Sequence, residues 1–406
     1  MRYFAVLKAL PFIIAAPLTE RAEAVGSGKY IVILKPTASV PTQGTDIGLP
    51  GGSLLANVNK EHIYDVGNFK GYSATLSDAQ IAALRLDSNV AYIESDQQVH
   101  TTGIRHMQAS AQSGHVITQA SAPSWGLGRL SHREKGNTDY LYHSSAGQGT
   151  CSYTVDTGVD ASHPQFEGRA EQVKNFASNA TTDDYGHGTH VAGIIGSLSH
   201  GVAKKTKLYG VKVLDKYGSG ILSNVIAGVA FAVNHSRTAD CPNGAVINMS
   251  LGSPRSQAVN DAAAAAYDAG VFIAVSAGNS GSNTENYSPS SEPKAFTVGA
   301  TNTTDDITEY SNYGCLLDCF APGHDINSTW PGNQYQILSG TSMASPHVVG
   351  LAAYFLGLFG KMDPDTLGNI IKAFSTKDVI GAILPNTSTP NFFSFNGIGE
   401  NGTGDI

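Results

Sequence analysis

Ser342 stands in Ser339-Gly340-Thr341-Ser342-Met343-Ala344-Ser345-Pro346-His347, a glycine-bearing turn that runs into an apolar, alanine-containing stretch. A serine presented in this way can act as a nucleophile. Its hydroxyl is weak at neutral pH, so it needs a neighbouring base, and that base needs a carboxylate to orient it. Two upstream segments offer both: Tyr153-Thr154-Val155-Asp156-Thr157-Gly158-Val159 and Gly186-His187-Gly188-Thr189-His190-Val191-Ala192-Gly193. The chemistry they would perform together is acyl transfer. Ser342 attacks a carbonyl carbon, and His187 takes the hydroxyl proton and returns it to the leaving group. Asp156 holds the imidazole in the useful tautomer and stabilises the imidazolium. Activity is then expected to fall below about pH 6–7, where an ordinary imidazole takes up a proton. Alone, each residue has a plain structural use, since such serines cap helices and such aspartates fill turns. The chemical reading rests on their joint occurrence.

The order along the chain is Asp, His, Ser, which separates this arrangement from an α/β-hydrolase, where Ser comes first and sits in G-x-S-x-G. Here the residue two after Ser342 is Ala344. With these three motifs in this order, the chain resembles the subtilisin-like serine proteases, and within them the proteinase K group of secreted fungal enzymes. The likeness is greatest to the dermatophyte and insect-pathogen types. It continues through Ser124-Trp125-Gly126-Leu127-Gly128-Arg129-Leu130-Ser131-His132, Tyr209-Gly210-Val211-Lys212-Val213-Leu214-Asp215 and Ser311-Asn312-Tyr313-Gly314, and so covers most of the chain from about Ala120 onward.

The resemblance implies further roles. Asn279, in Ser276-Ala277-Gly278-Asn279, matches the family's oxyanion asparagine, with the Ser342 N–H as second donor. Gly218, Ser219, Gly220 and Ile221 on one side, and Ser250, Leu251 and Gly252 on the other, would flank an extended peptide held by main-chain pairing. A cleft of that kind reads few side chains, so broad endopeptidase specificity with an apolar or aromatic preference before the cut is expected. A structural Ca2+ is implied at positions matching the Pro293 and Ala295 carbonyls and the Asp318 carboxylate. Cys151 and Cys241 match a disulfide of the group, whereas Phe296 stands where relatives carry a cysteine of a second one. Cys315 and Cys319, if on one strand, lie about 13 Å apart, beyond the roughly 7 Å limit for a bridge, and stay free. His187 and His190 do not read as zinc ligands, because the Glu of H-E-x-x-H and a third ligand are missing.

The elements that must position these residues are also legible. From Cys151 on, short apolar runs (Ser152–Val155, Leu208–Leu214, Ala245–Met249, Val271–Val275) alternate with helix-like segments (after His187, Ser223–Val233, Asp261–Ala269). The pattern predicts an α/β fold with a mostly parallel central sheet flanked by helices. Sites gather beyond the carboxyl ends of such strands, where Asp156, Leu251 and Asn279 fall. Upstream, Lys29–Lys35, Phe69–Leu76 and Val90–Glu94 read as strands, with a capped helix starting at Ser77. This is a small α+β unit that resembles the propeptide inhibitor found ahead of many subtilisins. The expected division is a signal peptide over 1–20, a propeptide over 25–118 with its inhibitor-like domain at about 29–100, and a catalytic domain over 119–406. The Ser-, Gln- and Thr-rich linker Thr101–Pro123 places maturation between about His115 and Ala122.

Composition bounds the rest. The chain has 406 residues, a net charge of -8 and no basic cluster, which argues weakly against a polyanion partner. Arg2, Lys8, the apolar stretch Phe4–Pro17 and the small residues near Ala15–Ala24 read as a secretion signal, too short to span a bilayer. A secreted monomer is expected, with protein or peptide substrates and its own propeptide as partners, and with no nucleic-acid or membrane partner. Sequons at Asn179, Asn234, Asn286, Asn302, Asn327, Asn386 and Asn401 are candidate glycosylation sites, and Asn248, in a predicted strand, is exempt. The expected function is a self-processing secreted serine endopeptidase for which structural proteins such as keratin are plausible substrates. A catalytically idle binding homologue and a secreted esterase are the competing readings.

Overall fold

The β-branched run near the start forms the strand Lys29–Leu34, which pairs antiparallel with Phe69–Thr75 on one side and Val90–Ser95 on the other. The structure is a computed structural model that describes residues 28–40, 58–101, 104–106 and 116–398. The expected signal peptide and Asn401 lie outside them. A fourth strand, Lys60–Val66, completes the sheet in the order Lys60–Val66, Phe69–Thr75, Lys29–Leu34, Val90–Ser95. Its polar sequence Lys60-Glu61-His62 hid it from period-2 reading. The helix Asp78–Leu84 begins at Ser77 with a full capping box, in which the Gln80 side chain accepts the Ser77 N–H and Ser77 Oγ accepts the Gln80 N–H. Ile81 and Leu84 from this helix pack on Val32, Leu34, Tyr72 and Ala74 to give the unit its own core.

The second unit is built on a nine-stranded sheet. Its order is Ala170–Asn175, Lys207–Lys212, Cys151–Asp156, Ala245–Met249, Phe272–Ser276, Phe296–Thr301, Cys319–Pro322, Phe392–Phe393, Thr376–Lys377, parallel throughout except for the last pair. Every residue of Cys151–Asp156 is buried, as a strand covered on both faces requires. One face carries the helices His187–Gly196 and Thr341–Phe359, and the other carries Leu222–Ser236 and Gln257–Asp268. The Thr341–Phe359 helix is long and apolar enough to cross a membrane, but most of it is buried as the central core helix. Cys151 and Cys241 form a disulfide with Cα atoms 5.5 Å apart. Cys315 and Cys319 are free, the first exposed in a turn and the second buried at the start of its strand. The buried Arg129 guanidinium spans Asp305 Oδ1 and Oδ2 at 3.0 and 3.2 Å and lies over the Phe393 ring, tying the helix Trp125–Ser131 to the far edge of the sheet.

The small unit docks through charge placed at helix starts. Glu94 Oε2 accepts the N–H of Ala258 (3.1 Å), in the first turn of Gln257–Asp268, and Asp96 Oδ1 accepts the N–H of Ser223 (2.9 Å), in the first turn of Leu222–Ser236. Both carboxylates meet the positive ends of helix dipoles and satisfy amides with no partner inside their helices. Tyr92 adds a hydrogen bond to Asp261 Oδ2.

Three histidines are sealed in the large core as neutral rings. Burial pushes His190 and His200 down to about 3 and His347 down to about 4. The unfolded chain protonates these rings as pH falls through about 6.5, and the folded chain does so only near 3–4. Stability is therefore present above pH 6.5 and lost as pH falls through that window. At pH 5.5 each ring costs roughly 1 kcal/mol, or about 4 kcal/mol for the three, relative to neutral pH. Chemical unfolding of an inactive Ser342→Ala chain at pH 7 and pH 5.5 checks this, and equal stabilities would rule it out.

Candidate active site

Asp156 ends the central strand Cys151–Asp156, and His187 opens the helix His187–Gly196, so the two arrive from different elements at the carboxyl edge of the sheet. Asp156 Oδ1 accepts the Thr157 N–H at 2.7 Å and lies 2.8 Å from His187 Nδ1. Both side chains are buried. The helix can start there because residue 186 is glycine. Its φ is +114°, and a Cβ would sit 2.1 Å from the Trp330 ring. Asp183 locks the junction: Oδ1 accepts from Thr157 Oγ1 and Gly186 N, and Oδ2 from Thr189 N and Thr189 Oγ1. Thr157 Oγ1 in turn accepts the Gly188 N–H at 2.9 Å. Lys212 is buried beneath, donating to the Thr157 and Leu214 carbonyls and to Asp184. Motif reading missed Asp183 and Lys212, although a lysine in the apolar strand Lys207–Lys212 was a usable signal.

Ser342 lies in the first turn of Thr341–Phe359, behind Gly340 at φ +152°. Its Oγ donates to the Ser250 carbonyl at 3.1 Å, and Ser250 Oγ donates back to the Ser342 carbonyl at 2.9 Å. His187 Nε2 is buried and hydrogen-bonds to nothing among the described residues. In this state the serine hydroxyl donates to the Ser250 carbonyl, and catalysis needs it to donate to the imidazole instead. Asn279 follows the strand Phe272–Ser276, and its Oδ1 accepts from both Thr341 N (2.9 Å) and Thr341 Oγ1 (2.8 Å). Spending the amide oxygen on Thr341 leaves the NH2 as the group available to an incoming oxygen. Thr341 was not singled out in the sequence, because its task is only to aim Asn279.

The predicted peptide-binding segments face each other across a strand from the small unit. Gln98–Thr101 pairs antiparallel with Ser219–Ile221 (Gly220 opposite Val99) and with Leu251–Gly252 (Leu251 opposite Thr101, Gly252 opposite His100). The Thr101 N–H donates to the Gly218 carbonyl at 2.9 Å. Beyond it, Ile104–His106 pairs with Ile337–Ser339 on the strand that leads to Ser342. No periodicity marked these two short strands, since their partners are far away in sequence.

At the expected calcium position, Asp318 is already engaged. Its Oδ1 is 2.5 Å from Lys372 Nζ, and its Oδ2 accepts the Thr297 N–H at 2.8 Å. With one carboxylate oxygen on Lys372 and the other on Thr297, an ion that takes six to eight oxygens would have to displace the ammonium to use Asp318. Among the candidate glycan sites, Asn179, Asn234, Asn286 and Asn386 are exposed and Asn302 is half-buried. Asn327 corrects the expectation: it is buried, and its Nδ2 donates to the Pro123 carbonyl and meets His200, which closes it to a glycan. Asn248, exempted from the sequence, is buried between Ser250 and Ser345.

Comparison with known proteins agrees with this architecture. Residues 153–396 match the Subtilase family model, and residues 29–102 match Peptidase inhibitor I9. A cuticle-degrading protease of Metarhizium anisopliae is 43% identical over 98% of this chain and all of its own length. Proteinase R of Parengyodontium album is 45% identical over 84% of this chain and 83% of its own. The crystal structure of a cold-adapted subtilisin-like serine proteinase superposes with a TM-score of 0.62 at 37% identity, covering 67% of this chain and 97% of that one. Subtilisins commonly bind structural calcium, and an I9 domain implies an inhibitory propeptide. With its catalytic-domain match spanning more than half its length, the chain belongs to the subtilase family and is a subtilisin-like serine endopeptidase made with an inhibitor-type propeptide.

Proposed function

We propose that this endopeptidase works through Ser342 as nucleophile, His187 as general base and then acid, Asp156 as the orienting carboxylate, and Asn279 with the Ser342 N–H as oxyanion donors. One observation carries the reading: the chain's own segment Gln98–Thr101 runs as a peptide strand between Ser219–Ile221 and Leu251–Gly252. That is main-chain recognition by strand addition, in which affinity comes from backbone pairing and side chains are read weakly. Gly218, Ser219, Gly220, Ser250, Leu251 and Gly252 thus hold protein substrates of many sequences, with an apolar or aromatic residue preferred before the cut. A catalytically idle role is not favoured, because the relatives are serine proteases and Asp156, His187, Asn279 and Ser342 are all present in this chain.

The same strand sets where the precursor is first cut. Thr101 pairs with Leu251, which follows Ser250, and Ile104 pairs with Ser339, three residues before Ser342. From the pairings of these two flanking residues we take the first cut to fall between Thr101 and Ile104, upstream of the His115–Ala122 window expected from composition. Val116–Gln119 pairs with Tyr140–His143 and belongs to the enzyme body, so any cut near His115 is a later trimming step. The enzyme is read as an extracellular monomer, consistent with the Cys151–Cys241 bridge. Tough structural proteins of the keratin or cuticle kind are its substrates in this reading. Calcium enters it only at Pro293, Ala295 and Asp318, and only by displacing Lys372.

Asn279→Ala tests the assignment. Loss of one oxyanion donor is expected to lower kcat by about 10²- to 10³-fold with little change in KM, because the donor is used mainly in the transition state. Steady-state hydrolysis of a chromogenic peptide gives both constants. A kcat within tenfold of the parent would remove Asn279 from the mechanism.

A further inference from the structure

We infer that Lys372 is the resident cation of the Asp318 site, an ammonium tethered to the fold where the family implies a free calcium ion. The inference rests on the catalytic-domain reading only for the position of that site. Lys372 lies in the last turn of the helix Pro364–Phe374, and its Nζ is 2.5 Å from Asp318 Oδ1 and 5.3 Å from the centroid of the Phe296 ring. Phe296 thus supplies a π face to the same charge that Asp318 neutralises. Gly368, one turn earlier on the helix, faces the same ring, where a Cβ would make an ordinary contact at 3.4 Å. This is the Phe296 that stands where relatives carry a disulfide cysteine, so the aromatic ring and the lysine come together.

The rest of the site is consistent with a single positive charge. Asp318 Oδ2 is spent on the Thr297 N–H, and the Asp318 N–H donates to the Thr297 carbonyl, so the carboxylate is fixed between two strands whether or not a metal is present. Lys294, between Pro293 and Ala295 in sequence, turns its ammonium to Asp268 at 2.6 and 2.7 Å. Among the described residues no group of three or more His, Cys, Asp or Glu side chains could share a metal. One carboxylate neutralises one ammonium, whereas a divalent ion there would leave an uncompensated charge. Calcium must therefore compete with an ammonium that is held at high local concentration by its own helix.

Thermal unfolding tests this in the full chain carrying Ser342→Ala, which prevents autolysis and keeps the readout independent of catalysis. The melting temperature is measured in a chelator and in millimolar calcium chloride for that parent and for its Lys372→Met, Lys372→Arg and Asp318→Asn/Lys372→Met derivatives. The parent and Lys372→Arg are expected to differ by about 1 °C or less between the two conditions. Lys372→Met should melt lower in chelator and recover by about 5 °C in calcium, and the double variant should not recover. Reading the calcium response of Lys372→Met minus that of the parent cancels any calcium bound elsewhere. The inference is overturned if this difference is nil, or if the parent loses as much in chelator as Lys372→Met does. Neither result touches the protease reading, which does not enter the measurement.

Discussion

Ser342→Ala in the full-length chain is expected to lower peptide hydrolysis by about 10⁶-fold, the scale known for loss of the nucleophile in subtilisin itself, a member of this family. The size follows from what remains. Without the hydroxyl there is no acyl-enzyme, and only the oxyanion donors and the binding strands are left, worth about 10³–10⁴ over water. The fold should survive. Ser342 Oγ donates to the Ser250 carbonyl, and the bond from Ser250 Oγ back to the Ser342 carbonyl does not involve the deleted atom. Alanine is also among the best residues for a helix's first turn. The variant should therefore accumulate as a folded precursor with Gln98–Thr101 still between Ser219–Ile221 and Leu251–Gly252.

The second large effect is expected at Asp156. Asp156→Asn keeps the shape and the acceptor that receives the Thr157 N–H at 2.7 Å, yet it should cost on the order of 10⁴-fold in kcat. The cause is electrostatic and tautomeric. His187 Nδ1, 2.8 Å from Oδ1, must carry its proton on the Asp156 side so that Nε2 can accept from the serine. A neutral amide neither enforces that tautomer nor balances the imidazolium that forms. Because Asp183 and Lys212 hold the same loop through Thr157, the backbone should stay in place, and an unchanged circular dichroism spectrum alongside the kinetic loss would show it. A variant that retains more than a hundredth of the parent kcat would remove Asp156 from the orienting role.

Much of this was legible in the sequence for identifiable reasons. The central strands are buried on both faces and read as continuous apolar runs. Ala245–Met249 matches its expected boundaries, and Cys151–Asp156 and Phe272–Ser276 shift by only a residue or two. Ser77 announced its helix because a capping box is a local device. Asp156, His187, Asn279 and Ser342 stood in short motifs, and the parallel sheet brings them to one edge. What escaped was non-local. Gln98–Thr101 becomes a strand only because two distant glycine-containing segments accept it, so its own residues carry no alternation to detect. Asp183 and Thr341 act by aiming other residues, and nothing in their immediate neighbours reveals the partner. The Asn327 sequon and the Asp318 position share one difficulty, since a motif names an atom but not what already engages it. For Asn327 that is the Pro123 carbonyl, and for Asp318 it is Lys372.

The central claim is that Ser342 cuts its own chain where the propeptide strand crosses it, and the ends of the products report this directly. Wild-type and Ser342→Ala precursors are purified, incubated separately, and their fragments weighed by intact mass spectrometry with sequencing of the new N-terminus. The account predicts a wild-type propeptide ending between Thr101 and Gly103, a complementary N-terminus between Thr102 and Ile104 before any trimming, and an intact Ser342→Ala chain. A first cut elsewhere would contradict the proposed cleft register while leaving the nucleophile standing. Equal processing of both chains would contradict the assignment of Ser342.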